Sequence, residues 1–183
     1  DVAHTYLTIA DLFHYWLSGA KVCEFTHAST HQLYNPHQNN WDFELLKRLG
    51  VPTGMFGEIV PPGTRLGAYN GIPVIAPPAH DTGSAVVAVP TTTEDFAYIS
   101  SGTWSLLGLE LATPVINDAA YEANATNEGG AENTWRFLKN IAGMWLVQQC
   151  RATWALTDRV YEYAELAQLA EQATPFRTFI DPD

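Results

Sequence analysis

Basic residues are scarce in this sequence of 183 residues: nine Lys and Arg stand against twenty Asp and Glu, giving a formal net charge of -11. The few basic residues are scattered rather than gathered into a patch. Because nucleic-acid binding depends on Lys and Arg that neutralise phosphates, we do not expect a nucleic-acid partner. The same acidity argues against an anionic membrane surface. A small nucleotide is still allowed, since backbone N–H groups and a bound Mg²⁺ can recognise phosphate without many basic side chains.

Several other features are missing. The only cysteines, Cys23 and Cys150, lie far apart and in no metal-ligand spacing, which predicts a reducing, cytoplasmic setting. The six histidines form no HExxH motif, so we expect no transition-metal site. No hydrophobic run is long enough to cross a bilayer, and there is no GxxxxGK[ST] phosphate loop. The sequence starts without Met and stops in mid-pattern, which predicts an internal piece of a longer protein.

The composition, 46% hydrophobic and 12% aromatic, is that of a folded chain. Apolar spacing predicts a helix over residues 5–17 and a second over 41–49. Many Pro and Gly residues predict mostly loop and short turns over 51–71. The apolar run 72–77 predicts a buried strand. The segment 80–84 predicts a loop followed by the start of a helix.

A change of pattern after the polar segment 90–95 predicts a domain boundary there. Beyond it, alternating apolar residues on both sides of the turn 101–103 predict a β-hairpin. We expect loop over 117–134, which is rich in Asn, Glu and Gly. Apolar residues at helical spacing predict a helix from Leu138 to Leu156 and a further one over 160–170.

The first candidate site is the segment His80-Asp81-Thr82-Gly83, between the predicted strand and helix. In open α/β sheets, ligands bind outside the carboxyl ends of strands. Asp81 there could accept a proton from a substrate hydroxyl as a general base. Alternatively, Asp81 or Thr82 caps the helix, and on spacing alone the capping role is the commoner one.

The second candidate is the hairpin turn 100–103. Its small residues let the backbone approach a ligand, and the hydroxyl of Thr103 and nearby N–H groups can donate to phosphate oxygens. Such turns also occur in hairpins that bind nothing.

The third candidate is Asn140 with Gln148. On one helix, eight residues correspond to about 80° of rotation, at about 100° per residue, so both side chains could face one cleft. An amide in an apolar stripe needs a partner, which is either a neighbouring backbone group or a ligand.

Taken in order and spacing, several segments form one larger pattern: 26–33 (Thr-His-Ala-Ser-Thr-His-Gln-Leu), 41–42 (Trp-Asp), 79–86 (Ala-His-Asp-Thr-Gly-Ser-Ala-Val), 98–106 (Tyr-Ile-Ser-Ser-Gly-Thr-Trp-Ser-Leu), 126–131 (Thr-Asn-Glu-Gly-Gly-Ala) and 138–146 (Leu-Lys-Asn-Ile-Ala-Gly-Met-Trp-Leu). This pattern resembles the FGGY family of carbohydrate kinases over nearly the whole chain. The His-Asp-Thr and Ser-Ser-Gly-Thr-Trp-Ser segments mark the family broadly. The Asn-Glu-Gly-Gly and Leu-Lys-Asn segments point to its branch that acts on L-rhamnulose.

The resemblance implies an α/β protein of the ribonuclease H-like (actin-like ATPase) fold, with sugar and ATP bound between two domains. Residues 1–92 would be the C-terminal part of the sugar-binding domain, and residues 93–183 the N-terminal part of the ATP-binding domain. The oligomeric state is not implied.

The resemblance also implies roles for particular residues. Asp81 would be the catalytic base and would itself contact the sugar. His80 and Thr82 beside it would contact the sugar too, as would Asn140. Thr103 and Gln148 match positions that touch ATP. With ATP and Mg²⁺ as cofactors, the product would be L-rhamnulose 1-phosphate, as part of rhamnose catabolism.

The family's amino-terminal phosphate-binding segment and its glycine-rich adenine site have no counterpart in this sequence. We therefore expect the 183-residue chain alone not to turn over ATP. The sequence also allows three alternative hypotheses about the function: an FGGY kinase of another sugar such as L-fuculose or D-xylulose, a non-catalytic sugar-binding module, or an unrelated α/β binding domain.

Overall fold

A computed structural model describes residues 3–93 and 95–181 of the protein. Within these ranges the helices are α1 (Ile9–Ser18), α2 (Phe25–Ala28), α3 (Phe43–Arg48), α4 (Asp81–Val87), α5 (Asp118–Glu122), α6 (Trp145–Thr157) and α7 (Tyr163–Gln172). The strands are β1 (Cys23–Glu24), β2 (Tyr34–Asn35), β3 (Asn40–Trp41), β4 (Ile59–Val60), β5 (Arg65–Tyr69), β6 (Ile72–Ile75), β7 (Ala97–Ser101), β8 (Trp104–Leu111), β9 (Ala125–Gly129) and β10 (Trp135–Ala142). Among these described helices, none is long and apolar enough to span a membrane.

The chain divides into two compact units. The first contains the described residues up to Tyr98 together with Gly108–Lys139. The second contains Ile99–Leu107 and the described residues from Asn140 onwards. Glu94, one position of the predicted boundary segment, lies outside the described residues.

A cluster of fully buried side chains forms the core of the first unit: Cys23, Ala28, Trp41 and Leu46. The Trp41 indole N–H donates to the backbone carbonyl of Gly57 at 2.9 Å, so the buried ring keeps its one polar group paired. The ring of Phe56 packs against it at a centroid distance of 5.0 Å. This core joins β1, α2, β3 and α3.

Capping residues set the ends of the two predicted helices. Thr8 is the N-cap of α1 and accepts from the backbone N–H of Asp11, and Gly19 ends the helix in the left-handed conformation. The first helix is thus confirmed, although it begins at Ile9 because Tyr6 pairs with Phe56 as an isolated bridge. The second is confirmed as α3.

Of two predictions for the middle of the first unit, the first is confirmed in the main and the second is wrong. The segment 51–71 is mostly loop and short turns, but it also contains β4 and β5, and β5 pairs antiparallel with β6 around the turn Asn70-Gly71, where both residues have positive φ. An Asn-Gly pair between strands is a strong hairpin signal. The strand at Ile72 is not buried: this residue is 69% exposed, since a two-stranded ribbon leaves side chains uncovered.

Strands β7, β8, β10 and β9 pair in that order in a four-stranded sheet. The hairpin predicted around the turn 101–103 is confirmed as β7 and β8. The loop predicted over 117–134 is wrong, because this stretch contains α5 and β9. Asn117 caps α5 by accepting from the N–H of Ala120 at 2.8 Å.

The helix predicted from Leu138 to Leu156 is wrong in its first part. Residues up to Ala142 belong to β10, which pairs antiparallel with β9 and sets Leu138 opposite Thr126. The helix α6 begins only at Trp145, after Gly143. Strand pairing with β9 overrides the helix-like apolar spacing. The last predicted helix is confirmed as α7.

Gly129 on β9 provides a test of packing in the first unit. A Cβ added there would lie 2.6 Å from a carbon of the Phe25 ring, which itself packs against Tyr34 and Trp135. We expect Gly129→Ala to lower the free energy of unfolding by about 1–3 kcal/mol, because the ring has to shift. Urea denaturation of the 183-residue chain measures this.

The matched control is Gly54→Ala, since an added Cβ there meets no atom within 4 Å. Its effect should stay within about 0.5 kcal/mol. Equal stability of the two variants would contradict the packing described.

Candidate functional site

The segment that leads into α4 is held by a buried carboxylate, that of Glu24 at the end of β1. Glu24 is fully buried and accepts from the N–H of Thr26 at 2.9 Å and from its hydroxyl at 2.5 Å. It also accepts from the N–H of Ala79 at 2.9 Å, 55 residues further along the chain. The Thr26 hydroxyl in turn accepts from the N–H of His80 at 3.1 Å. Ala79 and His80 are thereby fixed to the core of the first unit.

A second buried carboxylate, that of Asp11 on α1, supports the first. Asp11 is fully buried and accepts from the backbone N–H of Glu24 at 3.0 Å and from the hydroxyl of Thr8 at 2.8 Å. His14, one turn along, places its Nδ1 3.5 Å from the same carboxylate. Sequence analysis missed both acidic residues. For Glu24, the sequence did contain a signal: an acidic residue directly between the apolar residues Cys23 and Phe25, where a buried carboxylate needs hydrogen-bond partners.

Asp81 is the first residue of α4, and its side chain is 96% exposed. The N-cap is His80, which makes no side-chain capping bond, so the alternative that Asp81 or Thr82 caps the helix is wrong. One oxygen of Asp81 accepts from the N–H of Thr82 at 2.7 Å. The carboxylate therefore faces solvent with most of its acceptor capacity available to a ligand.

His80 is half-buried, with 22% of its side chain exposed. Its Nδ1 lies 3.4 Å from Nη2 of Arg136 and 3.7 Å from Oδ1 of Asp81. Burial lowers the pKa of His80, and the positive charge of Arg136 lowers it further, whereas Glu128 and Asp81 act in the opposite direction. Burial and the charge of Arg136, the two largest causes, both favour a neutral imidazole.

Arg136 is a fully buried basic residue on β10 that sequence analysis did not identify. Its Nε donates to the carbonyl of Gly129 at 3.2 Å, and its Nη2 pairs with Glu128 at 2.9 Å. The strand register puts Arg136 directly opposite Glu128. An Arg inside the apolar run Trp-Arg-Phe-Leu, close to the acidic residue of the Asn-Glu-Gly-Gly segment, was the signal that could have identified it.

In the second unit, the turn of the hairpin is bonded to the start of α6. The carbonyls of Gly102 and Thr103 accept from the N–H groups of Met144 and Trp145 at 2.9 and 3.1 Å. Gly143 permits this contact, because a Cβ there would lie 2.7 Å from the Gly102 oxygen. The backbone of Thr103 is thus held while the residue stays exposed.

Asn140 and Gln148 do not share a helix, so the predicted 80° relation between them is wrong. Asn140 is an exposed residue of β10, and Gln148 is half-buried and is the fourth residue of α6. The strand ends at Ala142 and a short connection follows before the helix. The two residues are separated by a change of secondary structure rather than by two helical turns.

The predicted site residues fall into two sets. The first unit holds the consecutive residues His80, Asp81 and Thr82, and the second unit holds Thr103, Asn140 and Gln148. That the two sets meet around one substrate stays a prediction.

A cavity of about 700 Å³ lies between α6 and α7 in the second unit. Its lining is mainly apolar and includes Leu146, Trp154, Leu166 and Leu169, and none of the predicted site residues contributes to it. Its polar lining residues include Asp158 and Tyr161 but no Lys or Arg, so it is poorly suited to bind phosphate. Across the described ranges, no cluster of three His, Cys, Asp or Glu side chains is arranged to hold a metal ion.

Comparison with models of known protein families identifies the family of this chain. The model of the N-terminal domain of the FGGY carbohydrate kinases matches residues 1–88, and that of the C-terminal domain matches residues 97–183. The chain therefore belongs to the FGGY family of carbohydrate kinases.

Within the family, the chain is similar to proteins named rhamnulokinase. It is 46% identical to that of Bacteroides thetaiotaomicron, over 100% of this chain and 39% of the relative. It is 50% identical to that of Enterobacter sp. (strain 638), over 81% of this chain and 31% of the relative. The chain thus spans well under half the length of these curated relatives.

Solved structures show the fold. A xylulose kinase from Rhodospirillum rubrum matches with a TM-score of 0.74 at 16% identity, over 92% of this chain and 35% of that one. A Plasmodium falciparum glycerol kinase with ADP matches with a TM-score of 0.71 at 16% identity, over 91% and 35%. The predicted fold class, the ribonuclease H-like fold of actin-like ATPases, is confirmed.

The buried carboxylate of Glu24 can be tested by its amide isostere. We expect Glu24→Gln to destabilise the chain by about 1–3 kcal/mol, because the new NH₂ group faces buried donors that lose their acceptor. Amide hydrogen exchange should speed up most at Ala79 and His80. Urea denaturation and exchange NMR measure the two effects.

The control is Glu58→Gln, the same substitution at an exposed position. It should leave both the stability and the exchange at Ala79 unchanged. Unaltered exchange at Ala79 and His80 in Glu24→Gln would show that Glu24 does not hold the segment.

Proposed function

We propose that this chain is part of an ATP-dependent sugar kinase that converts L-rhamnulose to L-rhamnulose 1-phosphate, with Asp81 as the catalytic base. The observation that carries the proposal is the solvent-facing carboxylate of Asp81 at the start of α4, next to a segment fixed by Glu24. Membership of the FGGY family and similarity to proteins named rhamnulokinase support the reaction and the sugar.

Phosphoryl transfer depends mostly on positioning the reactants and neutralising phosphate charge, so little covalent chemistry is asked of the protein. Asp81 would orient the sugar's C1 hydroxyl towards the γ-phosphate and accept its proton. His80, Thr82 and Asn140 would hold the sugar. Closure of the two domains would exclude water that could otherwise take the phosphate.

Thr103 and Gln148 would contact ATP in this proposal. The fit rests on the exposed residue Thr103, whose backbone is fixed to the start of α6, and on Gln148, the fourth residue of that helix. Mg²⁺ bound to the nucleotide would neutralise phosphate charge. It usually keeps several waters and takes only one or two carboxylates from the protein, so a cage of acidic residues is not required.

We also propose that residues 1–92 belong to the sugar-binding domain and residues 93–183 to the ATP-binding domain. Support comes from the two family models, whose matches end at residue 88 and resume at residue 97. The proposed partners are the sugar and ATP, and the proposed location is the cytoplasm, which the sparse and widely separated cysteines favour.

The role of Asp81 can be tested in the full-length parent. Asp81→Asn keeps the size of the side chain but removes the base, so we expect kcat to fall by roughly 10²- to 10⁴-fold. ATP affinity should stay nearly unchanged. Steady-state kinetics with L-rhamnulose, L-fuculose and D-xylulose, together with calorimetric titration of ATP, provide the measurement.

Asp118→Asn is the matched control, since Asp118 is also an exposed first residue of a helix. Turnover should be unaffected in that variant. Unchanged turnover in Asp81→Asn would remove Asp81 from the mechanism, and a parent that prefers L-fuculose or D-xylulose would refute the proposed sugar.

The 183-residue chain by itself should not phosphorylate a sugar. It spans 39% or less of the length of the rhamnulokinases compared above, which leaves most of a kinase of that length outside it. A coupled assay of ADP release, with the parent as the positive control, should show no sugar-dependent turnover for the chain. Robust turnover from the chain would refute this expectation.

A further inference from the structure

The guanidinium of Arg136 is held in one orientation beside His80. Arg136 is fully buried, and its Nε and Nη2 are occupied by the Gly129 carbonyl and the Glu128 carboxylate on the neighbouring strand. Gly83 is a neighbour of the guanidinium too, because a Cβ added there would lie at an ordinary van der Waals distance of 3.7 Å from the guanidinium carbon. The group that faces Nδ1 of His80 is therefore a fixed donor.

This arrangement restricts the proton on His80. A guanidinium carries only donors and remains charged, so an imidazole nitrogen at hydrogen-bond distance from it has to be the acceptor. A neutral imidazole has one acceptor nitrogen and one N–H. If Nδ1 accepts from Arg136 at 3.4 Å, the proton of His80 is on Nε2.

The competing arrangement is Nδ1–H donation to Asp81. The distance from Nδ1 to the Asp81 oxygen is 3.7 Å, which is longer than a hydrogen bond. That same oxygen already accepts from the N–H of Thr82. Glu128 lies 2.9 Å from Nη2, the same nitrogen that faces His80, and this nitrogen carries two N–H groups, so it can donate to both. The ring of His27 meets His80 edge-on at 6.1 Å. Arg136 is thus the best-placed partner for Nδ1.

We infer that Arg136 is a positioning residue: by donating to Nδ1 it fixes His80 as the Nε2–H tautomer, so that His80 presents a hydrogen-bond donor to an oxygen of the sugar. Nothing in the comparisons assigns a role to Arg136. The sugar as acceptor rests on the proposed function, whereas the tautomer follows from the contacts of Arg136 alone. The lowered pKa of His80 agrees with a neutral ring in this position.

The tautomer can be read directly in the unmodified chain. Long-range ¹H–¹⁵N NMR of the 183-residue protein labelled at histidine separates protonated from unprotonated ring nitrogens, and His80→Gln assigns the signals. We expect an unprotonated Nδ1 and a protonated Nε2. A proton on Nδ1 would overturn the inference, whether or not the parent proves to be a kinase.

Arg136→Met tests the cause, because it removes the charge and all the donors but keeps much of the volume. We expect a mixture of tautomers and a rise in the pKa of His80, and partial recovery of the Nε2–H form in Arg136→Lys. Arg65→Met, at an exposed position, is the control and should change neither the tautomer nor the pKa of His80.

A folded Arg136→Met chain with the native tautomer would overturn the inference. If that variant does not fold, the measurement on the unmodified chain decides.

In the full-length parent, Arg136→Met should raise KM for the ketose by roughly 2- to 10-fold, the loss of about one hydrogen bond, with KM for ATP unchanged. An unchanged KM for the ketose despite an altered tautomer would overturn the positioning role. A parent that phosphorylates no ketose would refute the proposed function instead, and the tautomer result would stand by itself.

Discussion

The carboxylate of Glu24 is the interaction on which the candidate site depends. It is fully buried, and its cost of burial is offset because it accepts from the backbone and hydroxyl of Thr26 and from Ala79, far along the chain. Asp11 holds the backbone of Glu24 in the same way. Through these bonds the core determines where α4 begins, and hence where Asp81 meets solvent.

The two units have one feature in common: hydrogen-bonded backbone groups fix a segment, and the candidate site residue beside them stays exposed. In the first unit, the N–H groups of Ala79 and His80 are bound, and Asp81 remains exposed. In the second, the carbonyls of Gly102 and Thr103 accept from the start of α6. Rigid support for an exposed group is what positional catalysis such as phosphoryl transfer requires.

The helix α1 and the hairpin β7–β8 were predictable because they follow local periodicity and turn chemistry. The strand β10 was predicted as helix because its pairing with β9, although close in the sequence, is not visible in its own spacing. Arg136 and Glu24 were missed because their contacts with the His80 segment join residues more than 50 positions apart. The resemblance to the FGGY family supplied the site residues that periodicity alone left undecided.

The central claim is that this fixed segment presents Asp81 to the reacting hydroxyl of a sugar. A crystal structure of the full-length parent with L-rhamnulose and a non-hydrolysable ATP analogue tests it most directly. The account predicts an Asp81 oxygen about 2.6–3.2 Å from the oxygen of the C1 hydroxyl. Both oxygens should lie on the side of the γ-phosphate opposite its leaving oxygen. A bound sugar whose C1 hydroxyl lies out of reach of Asp81 would contradict the account.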